Sequence, residues 1–211
     1  LPGAAAQGLI WGIMAIGVYL TFRILDVADL TVDGTMCTGG AVCIMMLMSG
    51  QNIWVSMLAA TGAGMLAGLA TGIFHTVMGI PAILAGILTQ LGLYSVNLKI
   101  MGKANQAVNS SKYDLLVSLR NIKDVPFYQN TILIVAVFIV ILIAVLYWFF
   151  GTEIGCSLRA TGCNPNMSRA QGINTDFAKV LGLMISNGLV ALSSAFLAQY
   201  QGRSEERRVG K

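Results

Sequence analysis

Charge is what this chain has least of. Of 211 residues only 10% are Asp, Glu, Lys or Arg, against about 25% in an ordinary soluble domain. Histidine occurs once, as His75, and proline four times. A single histidine among scattered acids leaves no cluster on which a membrane enzyme could build acid–base or metal chemistry, and in a short turn it reads as a solvated residue. The four cysteines (Cys37, Cys43, Cys156, Cys163) form no CxxC pair, so they are expected to be small apolar residues packed among helices. No Lys/Arg run interleaved with aromatics exists, which excludes nucleic acid as a partner. No GxxxxGK[ST] loop is present, so the chain carries no nucleotide-binding P-loop of its own.

What fills the chain instead is apolar. Hydrophobic residues make up 56% of it, with 24 glycines and 11 methionines, and the mean hydropathy is +0.75. Six apolar segments follow one another: about Ala4–Phe22, Thr35–Met48, Ile53–Phe74, Ile80–Leu98, Asn130–Phe150 and Phe177–Gln201. Crossing a bilayer takes about 20 apolar residues, and inside lipid the backbone must satisfy its own hydrogen bonds, so these segments are helices. The fold class is therefore all-α, a polytopic integral membrane bundle that has the lipid bilayer as its first partner.

The segments differ in character. Asn130–Phe150 has no charge, with Phe127 and Tyr128 before it and Tyr147 to Phe150 closing it, an aromatic belt on both interfaces and a helix facing lipid over much of its surface. Gly64, Gly68 and Gly72 recur every fourth residue in the third segment, with Ala60 one step earlier. They form a stripe that lets another backbone approach and that favours helix packing over a substrate path. Ser186, Asn187, Gly188, Ser193 and Ser194 in the sixth segment, and Gln90 in the fourth, face protein or water rather than lipid. No span carries a charge near its middle, which weighs against proton-relay and ion-pump readings.

Charge also suggests the topology. Residues 151–175 hold Arg159 and Arg169, with Lys179 just beyond, against Glu153 and Asp176, which places them in the cytoplasm. Arg23–Asp33 has one arginine and three aspartates, Asp26, Asp29 and Asp33, and is expected outside. An odd number of crossings must then separate the two, although four apolar segments lie between them. Thr35–Met48, about 21 Å long at 1.5 Å per residue, is the one expected not to cross. It reads as a broken or re-entrant helix starting after Asp33–Gly34, and such breaks mark substrate paths in transporters. Asp29, Thr31, Asp33 and Gly34 are then either the outer rim of a pathway or the N-cap and turn of that helix. Residues 99–124 carry five cations and two acids. Parity puts that loop outside while its charge favours inside, and KYDLLVSLRNI within it fits a short surface helix.

The segment GTEIGCSLRATGCNPNMSRAQGI (151–173) sits between the fifth and sixth apolar runs. Gly162, Asn164 and Pro165 signal a turn, with one short helix expected over Glu153–Thr161 and another over Asn166–Gly172. Ile154, Leu158 and Met167 read as apolar anchors. Two short helices held at the membrane surface by spans on both sides suit docking of a cytoplasmic partner, with Glu153 and Arg159 as docking or interfacial residues. The pattern T-E-x-G-x-x-L-R-A-x-G-x-N, followed after seven residues by G-I, is carried by Thr152, Glu153, Gly155, Leu158, Arg159, Ala160, Gly162, Asn164, Gly172 and Ile173. It resembles the coupling segment of ABC-transporter permeases of the branched-chain amino acid and ribose type. Tyr19–Ala41 and Gly79–Gly102 resemble the same family, so the resemblance covers nearly all of residues 1–202.

The resemblance implies the membrane permease subunit of an ATP-driven importer. A second permease subunit, forming a homo- or heterodimer, would complete the pathway. A cytoplasmic ABC ATPase would dock on the coupling segment and use the ATP, no cofactor being bound by this chain, and an extracytoplasmic binding protein would deliver an amino acid or similar small solute. The setting implied is the prokaryotic cytoplasmic (inner) membrane. The alternative is a secondary transporter or channel working without an ATPase. Arg203–Lys211 reads RSEERRVGK and holds four of the 13 cations. It matches the translation of a common sequencing adapter codon for codon, so residues 1–202 are expected to be the permease part and 203–211 a non-native tail. The chain begins at Leu1 with no charged stretch before its first apolar run, which reads as a fragment boundary and not as a cleaved signal peptide.

Overall fold

The computed structural model describes residues 2–102, 105–107, 131–201 and 203–205. Eight α-helices carry it: α1 (Pro2–Tyr19), extended by a π-helical turn at Leu20–Ile24; α2 (Val32–Met48); α3 (Ile53–Thr76); α4 (Ala82–Met101); α5 (Thr131–Gly151); α6 (Glu153–Cys163); α7 (Pro165–Ala170); and α8 (Thr175–Gln201). Among the described residues five helices are long and apolar enough to cross a membrane, and α2 is a shorter apolar one. The all-α bundle is as expected. Two three-residue strands, β1 (Asn105–Ala107) and β2 (Arg203–Glu205), pair antiparallel and are the only sheet among the described residues. The aromatic pair Phe127–Tyr128 and the surface helix expected within KYDLLVSLRNI lie outside the described residues.

The bundle is organised around α8, which touches α1, α2, α3 and α6. Its surface of Gly, Ala and Ser lets neighbouring backbones close in. Gly64, Gly68 and Gly72 of α3 meet α8 at Asn187 and Ala191, at Leu183 and at Val180, so this stripe is a packing face. The numbers run in opposite senses, so α3 is antiparallel to α8. Gly39 of α2 lies on the backbone of Ala191, Thr35 bonds Asn187 and Cys43 packs with Ala195, so α2 runs parallel to α8. On the other flank Ser186 donates to the Gly17 carbonyl at 2.7 Å, Ser193 to Ile10 at 2.7 Å and Tyr200 to Gly3 at 3.0 Å. These bonds hold α1 antiparallel to α8. Helix association in lipid has no hydrophobic drive, and close van der Waals contact with interhelical hydrogen bonds replaces it. Ser186, Asn187, Gly188, Ser193 and Ser194 are all buried, as the sequence led us to expect.

α5 touches the rest more lightly. Phe138 stacks edge-on against Phe196 with ring centroids 4.9 Å apart, while Val137, Val140, Ile141, Val145, Tyr147 and Trp148 stay exposed. An exposed uniformly apolar face at membrane depth is a lipid face.

The topology corrects the parity argument. Gly162 of α6 abuts the backbone of Ile24 and Leu25, so Arg23–Ala28 lies at the same end of the bundle as residues 151–175. Between the π-turn and α2 the chain leaves helical geometry. Asp26 adopts a positive φ of 54°, and residues 26–30 run into the bundle without helical structure. α2 begins level with Asn187, which stands about 18 Å from the start of α8 and about 21 Å from its end. The broken form of the expectation is therefore what occurs and the re-entrant form is not. The break supplies the first half of a crossing and α2 the second, so an even number of crossings separates the two segments. α4 runs from the α6 end to the far end, which puts the start of the cationic loop after it at the end opposite 151–175.

Candidate functional site

Two places concentrate polar chemistry: the α6–α7 element at one end, and a buried cluster at mid-depth. The first follows from local sequence. Thr152 caps α6, its hydroxyl accepting from Gly155 N at 3.4 Å and donating to Phe149 O at 2.6 Å. Asn164 ends α6 and caps α7, its Oδ1 accepting from Asn166 N and Met167 N at 3.1 Å each, with Pro165 in the first turn. Gly172, at φ 83°, turns the chain back toward α8, and Asn174 caps α8 by accepting from Asp176 N and Phe177 N. Side-chain oxygens thus satisfy orphan N–H groups at three successive helix starts.

α6 is amphipathic. Gly155 sits against the backbone of Phe149 and Phe150, and Gly162 against Ile24. Leu158 is 1% exposed and packs with Leu20, Leu25, Val27 and Leu183. The motif glycines and leucine are thus the seat of the element, and Ala160 is half-buried beside them. Glu153, Cys156, Arg159, Cys163 and Asn164 form the exposed side. Ile154 and Met167, expected as anchors, are 51% and 59% exposed, so only Leu158 anchors. Cys156 and Cys163 are exposed where packing had been expected, while Cys43 is buried.

The two arginines act as staples. Arg159 donates to the Phe150 carbonyl at 3.0 Å and reaches Cys156 Sγ at 3.3 Å, placing a cation at the C-terminus of α5 where the helix dipole favours it. Arg169 donates to Thr175 Oγ1 at 2.7 Å and Asp176 Oδ1 at 3.1 Å, binding α7 to the first turn of α8. That pair, half-exposed on both sides, is the only ion pair among the described residues. Such a pair contributes roughly 0–1 kcal/mol, so its role is geometric. Glu153 does not pair with Arg159.

The second place was not legible as such. Asp29, expected at an outer rim, is 3% exposed and lies at mid-depth. Its Oδ1 accepts from Thr31 N at 2.9 Å and its Oδ2 from Asn187 Nδ2 at 2.7 Å. Thr35 donates to Asn187 Oδ1 at 2.9 Å. Thr31 is fully buried and shares a 2.7 Å bond with Thr71, which reaches Thr89 at 3.0 Å. The cluster joins the break, α2, α3, α4 and α8. Gly34 is buried against Gln90 and Leu93, leaving Asp33 as the exposed member of the four expected rim residues. The rim location is corrected: Asp29 is an acidic side chain at mid-depth, carried there by the break, while no described span holds a charged residue near its middle. Windows of apolar residues missed Asp29 because the break carries it inward outside any apolar run. His75 is half-buried rather than solvated, its Nδ1–H donating to Ile80 O at 2.9 Å.

A family model described as branched-chain amino acid transport system / permease component matches residues 2–210. The tyrosine transport system permease protein of Clostridioides difficile is 41% identical over 94% of this chain and 64% of its own length. An uncharacterised protein of Rickettsia prowazekii is 33% identical over 94% of this chain and 68% of its own. The galactofuranose transporter permease protein of Escherichia coli is 26% identical over 88% and 52%. The chain thus spans about half to two thirds of the length of these curated relatives. No solved structure matches it.

Proposed function

The chain belongs to the branched-chain amino acid transport system permease family, and on that premise we propose that it is the membrane-spanning subunit of an ATP-driven importer. The observation that carries this reading is the α6–α7 element. Its inner face is seated on α5, α8 and the π-turn, and its outer face presents Glu153, Ile154, Arg159 and Met167 with nothing over them among the described residues. A cytoplasmic ABC ATPase would dock there and would bind and hydrolyse the ATP. Motion of α6 would pass through Gly162 to the break and Asp29, a rigid-body route between inward and outward states. A solute-binding protein would meet the opposite end, and a second permease subunit, the same chain or a related one, the lipid-facing flank. The setting would be the cytoplasmic membrane of a prokaryote. The relative from Clostridioides, named for tyrosine, supports an amino acid as solute.

The test is co-purification. Tagged chain solubilised from its native membrane is expected to bring down a protein that carries a P-loop. The double variant Ile154→Asp, Met167→Asp is expected to release it while leaving the chain's own thermal stability unchanged. One observation favours the secondary-transporter or channel reading: the buried Asp29, since an intramembrane acid is what ion coupling uses. Solute uptake by vesicles that contain this chain and no ATPase would establish that reading and refute the importer.

A further inference from the structure

Between the α6 seat, the α1–α2 break and the turn joining α3 to α4 lies a cavity of about 390 Å³, within the range of small-molecule sites. Its walls are mostly apolar, Val27, Pro81 and Ile83 among them, and three ionisable side chains join them: Asp26 from the break, His75 from the end of α3 and Lys179 from the first turns of α8. An acid and a base line one cavity, yet they do not pair with each other, and neither makes a hydrogen bond or ion pair among the described residues. The imidazole is oriented by its bond to the Ile80 carbonyl, which leaves Nε2 as an acceptor on the neutral ring. Asp26 is the only described non-glycine residue with a positive φ, 54°. Asp enters that region more readily than most side chains, and here it turns the chain out of the π-helical turn and sets the Asp26 side chain on the cavity wall.

We propose that this cavity binds a small zwitterion carrying an apolar group, its ammonium taken by Asp26 and the His75 ring and its anionic oxygens by Lys179. The inference rests on the importer reading for its use, because the α6 end is where an imported solute would emerge. A ligand there bridges the break, through Asp26, and α8, through Lys179, and so ties the segment that α6 would move to the fixed helix beside it. The shared chemistry has two sources, a free α-amino acid or the headgroup of a zwitterionic aminophospholipid.

The full chain with Ile83→Cys, in phosphatidylcholine vesicles, reports on the cavity without touching its charges. Labelling by a water-soluble maleimide is read peptide by peptide by mass spectrometry. Cys156 and Cys163 are exposed and do not line the cavity, so they serve as internal controls. L-phenylalanine is expected to slow labelling at position 83 alone, and 2-phenylethylamine and 3-phenylpropionate, each with one of the two charges, are expected to protect far less. In Asp26→Asn or Lys179→Gln, protection is expected to need about tenfold more amino acid for the lost charge-assisted bond. Protection by phosphatidylethanolamine in the vesicle, with none added by phenylalanine, would assign the site to the lipid headgroup. No protection by either, or protection unchanged in both charge variants, overturns the proposal. If the tagged chain retains its ATPase while protection is absent, the cavity site alone falls. If protection persists and no ATPase is retained, the importer reading falls and the site stands.

Discussion

Replacing Asn187 with leucine removes the amide that holds Asp29 while keeping the branched shape of the side chain, at a somewhat larger volume. The carboxylate then keeps Thr31 N at 2.9 Å and loses the 2.7 Å donor from α8. Thr35 loses its partner too, but its hydroxyl also lies 3.0 Å from Val32 O and 3.2 Å from Thr31 O, so no donor is orphaned there. The cost is therefore that of one charge-assisted bond to a buried carboxylate, about 1.5–3 kcal/mol, or roughly 10- to 150-fold in the unfolding constant. An ordinary interhelical hydrogen bond in a membrane protein averages only about 0.6 kcal/mol, so the two cases separate cleanly. The assay is reversible unfolding in mixed dodecyl maltoside and dodecyl sulfate micelles, followed through Trp11, Trp54 and Trp148. A double-mutant cycle with Asp29→Asn isolates the pair. A change under about 0.6 kcal/mol for Asn187→Leu, or a coupling energy near zero, would refute the view that Asp29 is a charged latch between the break and α8.

Gly68→Val is expected to force α3 away from the Leu183 backbone and cost about 3 kcal/mol or more, whereas Gly62→Ala, whose added carbon meets nothing within 4 Å, should stay within about 0.5 kcal/mol in the same assay. Leu158→Ala, in the seat of α6, should lower stability by about 2–4 kcal/mol, and proteolysis of residues 151–173 should accelerate with it. A membrane-impermeant maleimide should label Cys156 and Cys163 in inside-out vesicles and spare them in intact cells, with the reverse pattern refuting the orientation. If the proposed importer reading holds, Arg159→Glu, which reverses the charge at the C-terminus of α5, should impair coupled uptake more than pull-down of a solute-binding protein.

Much of the architecture was legible because membrane helices announce themselves by length. Five spans and both short surface helices fall where apolar runs and the Gly162–Pro165 turn put them, and the Gly64, Gly68, Gly72 stripe packs as its spacing implied. Topology failed for a specific reason. Asp26, Asp29 and Asp33 were counted as loop charges exposed to solvent, yet Asp29 is buried by hydrogen bonds from residues near and far in the chain, Thr31 and Asn187. Only the fold pairs residue 29 with residue 187. The T-E-x-G-x-x-L-R-A-x-G-x-N pattern was recognisable, but the division of labour within it was not. Gly155, Leu158 and Gly162 look inward and Ile154 outward because Thr152 caps α6, and that phase sets which face the bundle takes.

The contact of bare glycine with bare backbone along α2, α3 and α8 leaves these three helices no slack. Shifting one past another by a single residue would drive a β-carbon into a main chain, since Gly39, Gly64 and Gly68 are the only residues their positions admit. Close-packed interfaces of this kind have discrete positions and do not deform smoothly. The trio is accordingly a fixed jaw. The moving jaw of the proposed transport cycle is to be sought in α5, which presents most of its surface to lipid, and in the α6–α7 element that follows it.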